Sequence, residues 1–157
     1  CKRTHNPHKR DKERNRRASR ANRKGTTMIL DTSFVIDVMN KKEEALEKTK
    51  EFERKGTPYI TTALTIFELF SGVGQSKKPD EEKNKIREVL KGVYIAPLDK
   101  EAAEKGGHIH GQLKQIGDSV GAVDCMMAGI ATINNEKLVT RNEKDLGKIK
   151  GLELETY

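Results

Sequence analysis

The chain has 157 residues, with 31 Lys and Arg against 24 Asp and Glu, a net charge of +7, and only 4% aromatic residues. That length suits one ordinary domain, and no apolar run approaches the ~20 residues that span a bilayer, so no membrane-spanning helix is expected. Two cysteines, Cys1 and Cys125, exclude a disulfide framework and a cysteine zinc cage, and a reducing cytoplasm is the expected compartment.

The charge is unevenly placed. Residues 1–27 hold 11 Lys and Arg, 2 Asp and Glu, and three apolar residues, Cys1, Ala18 and Ala21, too little to bury a core. Two readings stand for this basic tail: upstream sequence outside the native domain, or an arginine-rich arm over residues 14–24 that settles on RNA phosphates. Residues 28–157 hold the other 20 basic and 22 acidic residues, a net of −2. The folded part is therefore nearly neutral, and the pI of 9.4 belongs to the tail.

From Met28 onwards short apolar runs alternate with longer amphipathic ones, the pattern of βα units around a parallel sheet. Residues 28–31 are expected as the first strand, 34–39 as a short helix, and 43–55 as a solvated helix ended by Gly56. Residues 57–61 read as a second strand. Thr62 caps a helix to about Gly72, because a hydroxyl before an apolar run accepts free helix N–H groups. Pro79 starts a helix to residue 91, and residues 93–96 form a third strand. In residues 100–115 the spacing of Ala102, Gly106, Ile109, Leu113 and Ile116 makes one helical face, where Gly106, Gly107 and Gly111 are expected to permit close packing. Residues 121–133 form a more apolar, central helix. A fourth strand over 137–140, a short helix over 143–149 and an edge strand over 152–156 complete the domain.

Three acids stand out against this pattern. Asp31 ends the run Met28, Ile29, Leu30; Glu68 lies between Phe67 and Leu69; Asp124 lies between Val123 and Cys125. A carboxylate taken from water loses several kcal/mol, on the order of 5, unless a cation, proton or donor compensates it. In a parallel sheet, sites form beyond the carboxyl ends of strands. Asp31 and the Thr140, Arg141, Asn142 segment end two strands, so they share a rim that Glu68 and Asp124 can reach. Each acid alone also has an ordinary reading: Asp31 as a helix cap, Asp124 as an acid at a helix N-terminus, Glu68 as a solvated position, Asn142 and Asp145 as turn residues.

In order, Asp31-Thr32-Ser33 after a strand, Glu68-Leu69 in a helix, Asp124 opening an Ala-rich helix, and Leu138 to Asn142 with Asp145 resemble a PIN-domain ribonuclease of the VapC toxin type. The resemblance covers residues 28–157. It implies a three-layer α/β/α sandwich with a mainly parallel central sheet, and Mg²⁺- or Mn²⁺-dependent endonucleolytic cleavage of RNA. Asp31, Glu68 and Asp124 match the family's metal-binding acids. The family's fourth acid falls near Asn142 to Asp145: Asn142 stands where many members have Asp, so either Asn142 or Asp145, the latter directly or through a water, fills the fourth catalytic position. Thr32 or Ser33 would then bond a metal-bound water or Asp31. The resemblance further implies a cognate antitoxin, whose short segment lies across the active-site groove, and a homodimer.

The ligand chemistry agrees, since all-oxygen donors select hard cations, which activate water and offset phosphate charge. Arg141 is the expected grip on an RNA phosphate. Other readings are a noncatalytic RNA-binding or scaffold version of the fold, or an enzyme processing rRNA or tRNA. A phosphoaspartate enzyme would need Asp-x-Asp after the first strand, which Asp31-Thr32-Ser33 does not supply. His108 and His110 diverge by about 200° on a helix, and Cys125 has no accompanying His, so surface and packing roles are expected for them.

Overall fold

The computed structural model describes residues 26–157; the expectations for residues 1–25 lie outside them. Five short strands, β1 (Met28–Leu30), β2 (Tyr59–Thr62), β3 (Ile95–Ala96), β4 (Lys137–Val139) and β5 (Leu154–Glu155), form one sheet in the order β3-β2-β1-β4-β5. Every pairing is parallel, with Met28 opposite both Tyr59 and Lys137. The connections are helical: α1 (Thr32–Met39), α2 (Glu43–Lys55), α3 (Ala63–Gly74), α4 (Pro79–Val89), α5 (Lys100–Gln115), α6 (Ala122–Asn134) and α7 (Glu143–Leu146).

Alternation along the strands divides the core into two layers. Ile29 and Leu138 face a cluster with Ala102, Ile109, Leu113, Met127 and Ile130 from α5 and α6. Leu30 and Val139 face Phe34, Val35, Phe52, Leu69 and Ile86 from α1 to α4. The architecture is thus the expected three-layer α/β/α sandwich, with β1 as the central strand between β2 and β4.

Several element ends differ from the sequence reading. Helix α1 starts at Thr32 rather than residue 34, because the Asp31 carboxylate accepts the Thr32 N–H at 2.7 Å and so caps the helix one residue after the strand. Helix α3 passes Gly72 and ends at Gly74, since Val73 gains burial by staying helical. Thr62 caps it as expected, accepting the Thr65 N–H at 3.1 Å. Strands β3 and β5 are shorter than expected, α4 ends at Val89, and α7 stops before Gly147.

The hairpin of α5 and α6 corrects the reading of the glycines. A Cβ on Gly106 would lie 2.8 Å from the Cys125 carbonyl oxygen, and one on Gly129 would lie 2.3 Å from the Ala102 carbonyl oxygen. Gly107 and Gly111 have nothing within 4 Å; they face away from the partner helix and permit no approach. Ile116 likewise leaves the expected apolar face, because the helix ends before it, and it is 73% exposed.

Candidate active site

Strands β1, β2 and β4 run parallel, so Asp31, Thr62 and Thr140 emerge at one rim. Asp31 is buried there. Besides capping α1, its carboxylate accepts the Thr140 hydroxyl at 2.6 Å and the Ser33 hydroxyl at 2.8 Å. Three donors on one carboxylate compensate its loss of water and fix its rotamer. The Thr140 hydroxyl oxygen in turn accepts the Asn142 N–H at 2.9 Å, and the Ser33 oxygen accepts the Arg141 N–H at 3.2 Å. The turn after β4 is therefore tied to the start of α1.

Glu68 is half-buried one and a half turns into α3, where it accepts the Thr32 hydroxyl. In α1's first turn Thr32 reaches Glu68 and its neighbour Ser33 reaches Asp31. Asp124 lies in the first turn of α6, capped by Gly121 without a side-chain bond. A Cβ on Gly121 would stand 3.3 Å from the Asp124 Oδ2, so the glycine leaves that carboxylate room. Burial pushes the Asp124 pKa up to about 6, and the charges of Asp31, Glu68 and Asp145 push in the same direction. Acids from the end of β1, from α3 and from α7 thus act on Asp124 in α6. Among the described residues, no three His, Cys, Asp or Glu stand close enough to form a ready-made metal cage.

The remaining sequence-predicted residues fall out differently. Asp145 is partly exposed in α7, with the Lys148 ammonium 3.8 Å away; that lysine sits closer, at 3.0 Å, to Asp118. Asn142 precedes α7, but its side chain caps nothing. Arg141 does not stand free at the rim as the phosphate grip expected of it: its Nη1 donates to both oxygens of Asp37, at 2.9 and 2.6 Å. The cause is electrostatic. Asp37 is 1% exposed, and a buried carboxylate draws the nearest cation.

Asp37 escaped the sequence reading, although the logic that singled out Asp31 applies to it. It lies between Ile36 and Val38 in an apolar helix, an acid in an apolar run. Cys125 is buried, and burial first, then the Asp124 charge, raises its thiol pKa, which fits packing rather than nucleophilic chemistry. His108 is exposed on α5.

Comparison with known proteins agrees with this geometry. A family model described as PIN domain matches residues 28–152. The chain is 27% identical over 129 residues to Ribonuclease VapC2 of Rickettsia felis, covering 82% of this chain and 96% of that protein. It is 26% identical over 129 residues to the tRNA(fMet)-specific endonuclease VapC of Salmonella typhimurium, with the same coverage. Among solved structures, VapBC2 of Rickettsia felis bound to a promoter DNA fragment contains a chain that superposes with a TM-score of 0.77 at 25% identity, over 83% of this chain and 98% of that one. DNA-bound VapBC of Salmonella typhimurium gives 0.74 at 26% identity, over 84% and 98%. With a family model that matches residues 28–152, well over half of its length, the chain belongs to the PIN domain family.

Proposed function

We propose that this protein is a divalent-cation-dependent endoribonuclease of the VapC type, the toxin of a toxin–antitoxin pair, acting in the cytoplasm. The observation that carries this reading is the placing of Asp124, half-buried in the first turn of α6, near Asp31, Glu68 and Asp145: burial first, and then their charges, raise its pKa to about 6. Such repulsion is costly to a fold and useful to a cation site.

The donor set is all oxygen, which fits Mg²⁺, with Mn²⁺ as the alternative, and does not favour zinc. Asp31, Glu68, Asp124 and Asp145 are the residues that would hold the ion. When bound, it supplies the charge that activates an attacking water and offsets charge on the scissile phosphate. The protein's own part is orientation. Thr140, Ser33 and the Thr32 N–H hold the Asp31 carboxylate, leaving it no freedom to turn from the site. Thr32 holds Glu68.

The substrate is RNA, and tRNA is the first class to test, since the Salmonella typhimurium relative is named for one. The partner is a cognate antitoxin, which the VapBC complexes among the structural relatives support, and the toxin is a homodimer. Phe67 and Phe70, exposed on the helix that carries Glu68, give an antitoxin segment apolar surface beside the acids.

The test is cleavage of a mixed RNA pool containing tRNA, with Mg²⁺, Mn²⁺ or EDTA, beside Asp31→Asn and Asp124→Asn. The expected result is cation-dependent cutting that both substitutions abolish while the fold persists. Cutting that survives either one would remove that acid from the site. No cutting by folded, antitoxin-free protein with either ion would favour the noncatalytic RNA-binding reading.

A further inference from the structure

Ser33 and Asp37 lie one helical turn apart on α1, and both face the turn after β4. Ser33 accepts the Arg141 backbone N–H, and Asp37 accepts the Arg141 guanidinium. Residue 141 is thus held twice by the same face of one helix, through its main chain and its side chain.

Asp37 collects more than this. The Lys42 ammonium stands 2.9 Å from its Oδ1, and the Tyr157 hydroxyl donates to its Oδ2 at 2.9 Å. Tyr157 packs edge-on against Phe34, with ring centres 4.8 Å apart, and its phenol also interacts with the Ser33 side chain. A polar chain therefore runs from Asp37 through Arg141 and Ser33 to Asp31, and the Tyr157 hydroxyl braces its Asp37 end. Beside Ser33, Thr32 performs the matching task of holding Glu68.

We infer that Asp37 is a positioning residue for the candidate active site: by holding Arg141 and Tyr157 against α1, it keeps Ser33 and Thr140 seated on Asp31. Partners that orient a ligating carboxylate belong to the working site as much as the ligand does. Arg141 then serves as the fixed end of this bracket, with its guanidinium spent on Asp37 instead of on RNA. This inference rests on the nuclease reading and extends it to residues that touch neither cation nor substrate.

The experiment compares Asp37→Asn, Asp37→Glu, Arg141→Met and Tyr157→Phe in the full chain, reading Mn²⁺ affinity by calorimetry, thermal unfolding, and kcat and KM on a cleaved RNA. In Asp37→Asn, kcat and Mn²⁺ affinity are expected to fall about tenfold or more with KM little changed. Arg141→Met should do the same, and Asp37→Glu should recover part of the loss. Tyr157→Phe keeps the ring on Phe34 and removes only a hydroxyl, so it tests the chain even where Asp37→Asn fails to fold; its kcat and Mn²⁺ affinity are expected to drop several-fold.

A lowered melting temperature with unchanged kcat and Mn²⁺ affinity well below it would overturn the inference and leave Asp37 a structural ion pair. So would a raised KM with a weaker salt dependence in Arg141→Met and unchanged kcat, which would return Arg141 to the phosphate. Unchanged kcat and Mn²⁺ affinity in Tyr157→Phe beside an unfolded Asp37→Asn would count equally against it. An inactive parent protein would overturn the nuclease reading instead, and Mn²⁺ affinity would still test the bracket.

Discussion

Asp37 and Asp124 are both acids in apolar helices, and their surroundings push them in opposite directions. Burial alone would raise both. At Asp37 the hydrogen bonds from Lys42 and Tyr157 and the Arg141 charge outweigh burial, so its pKa lies below the ordinary carboxylate value. At Asp124 the neighbours are acids that add to burial. The consequences for stability have opposite sign. Between the unfolded value of 3.8 and about 6, the folded protein keeps the Asp124 proton that the unfolded chain has lost, so stability falls as pH rises through that window. Above it the full penalty remains, about 1–2 kcal/mol once solvent screening of this partly exposed group is allowed for. Asp124→Asn is therefore expected to raise the melting temperature in EDTA at pH 7.5 and to leave it unchanged near pH 3.5. An equal gain at both pH values would mean that charge is not the cause. Asp37→Asn should destabilise at neutral pH, by about 2 kcal/mol for a buried acceptor whose cations are themselves half-exposed. That difference should shrink as pH falls through the lowered Asp37 pKa, because the folded carboxylate then takes up a proton and its stabilisation is lost.

The elements show which sequence signals carry through to three dimensions. Helical periodicity in residues 100–115 marked Ala102, Gly106, Ile109 and Leu113, all of which are buried, because a face that meets another helix must repeat at helical spacing. Periodicity did not tell which glycines touch the partner, since Gly106, Gly107 and Gly111 look alike in a string of residues. Only the crossing of α5 and α6 separates them. Gly129→Ala, facing the Ala102 carbonyl at 2.3 Å, is expected to cost about 1–3 kcal/mol as the helices are forced apart. Gly107→Ala, in open space on α5, should stabilise by roughly 0.5–1 kcal/mol. Thermal or denaturant unfolding checks both, and a destabilising Gly107→Ala would refute the assignment of faces. Strand ends were read less well than helices. Strands of two or three residues take their length from the pairing partner, which no local pattern encodes.

At the scale of the molecule, charge is divided between the basic residues 1–27 and the nearly neutral residues 28–157. Residues 28–157 carry a net −2, whereas residues 1–27 carry 11 Lys and Arg. Deleting residues 1–27 is expected to leave cation-dependent turnover within about twofold while flattening the salt dependence of RNA binding, because fewer counterions are released. Loss of turnover would place the tail within the enzyme. The sequence by itself determined the βα alternation and marked Asp31, Glu68 and Asp124 as acids in apolar runs, because burial, helical period and the cost of an isolated carboxylate are properties of neighbouring residues. Only the tertiary structure decided that Asp31 is held by Thr140 and Ser33, that Thr32 reaches Glu68, and that Arg141 turns to Asp37. These pairs lie 36 to 109 residues apart, apart from Ser33 beside Asp31. Their choice of partner depends on which chain segments the parallel sheet brings to one rim, and no local pattern contains that.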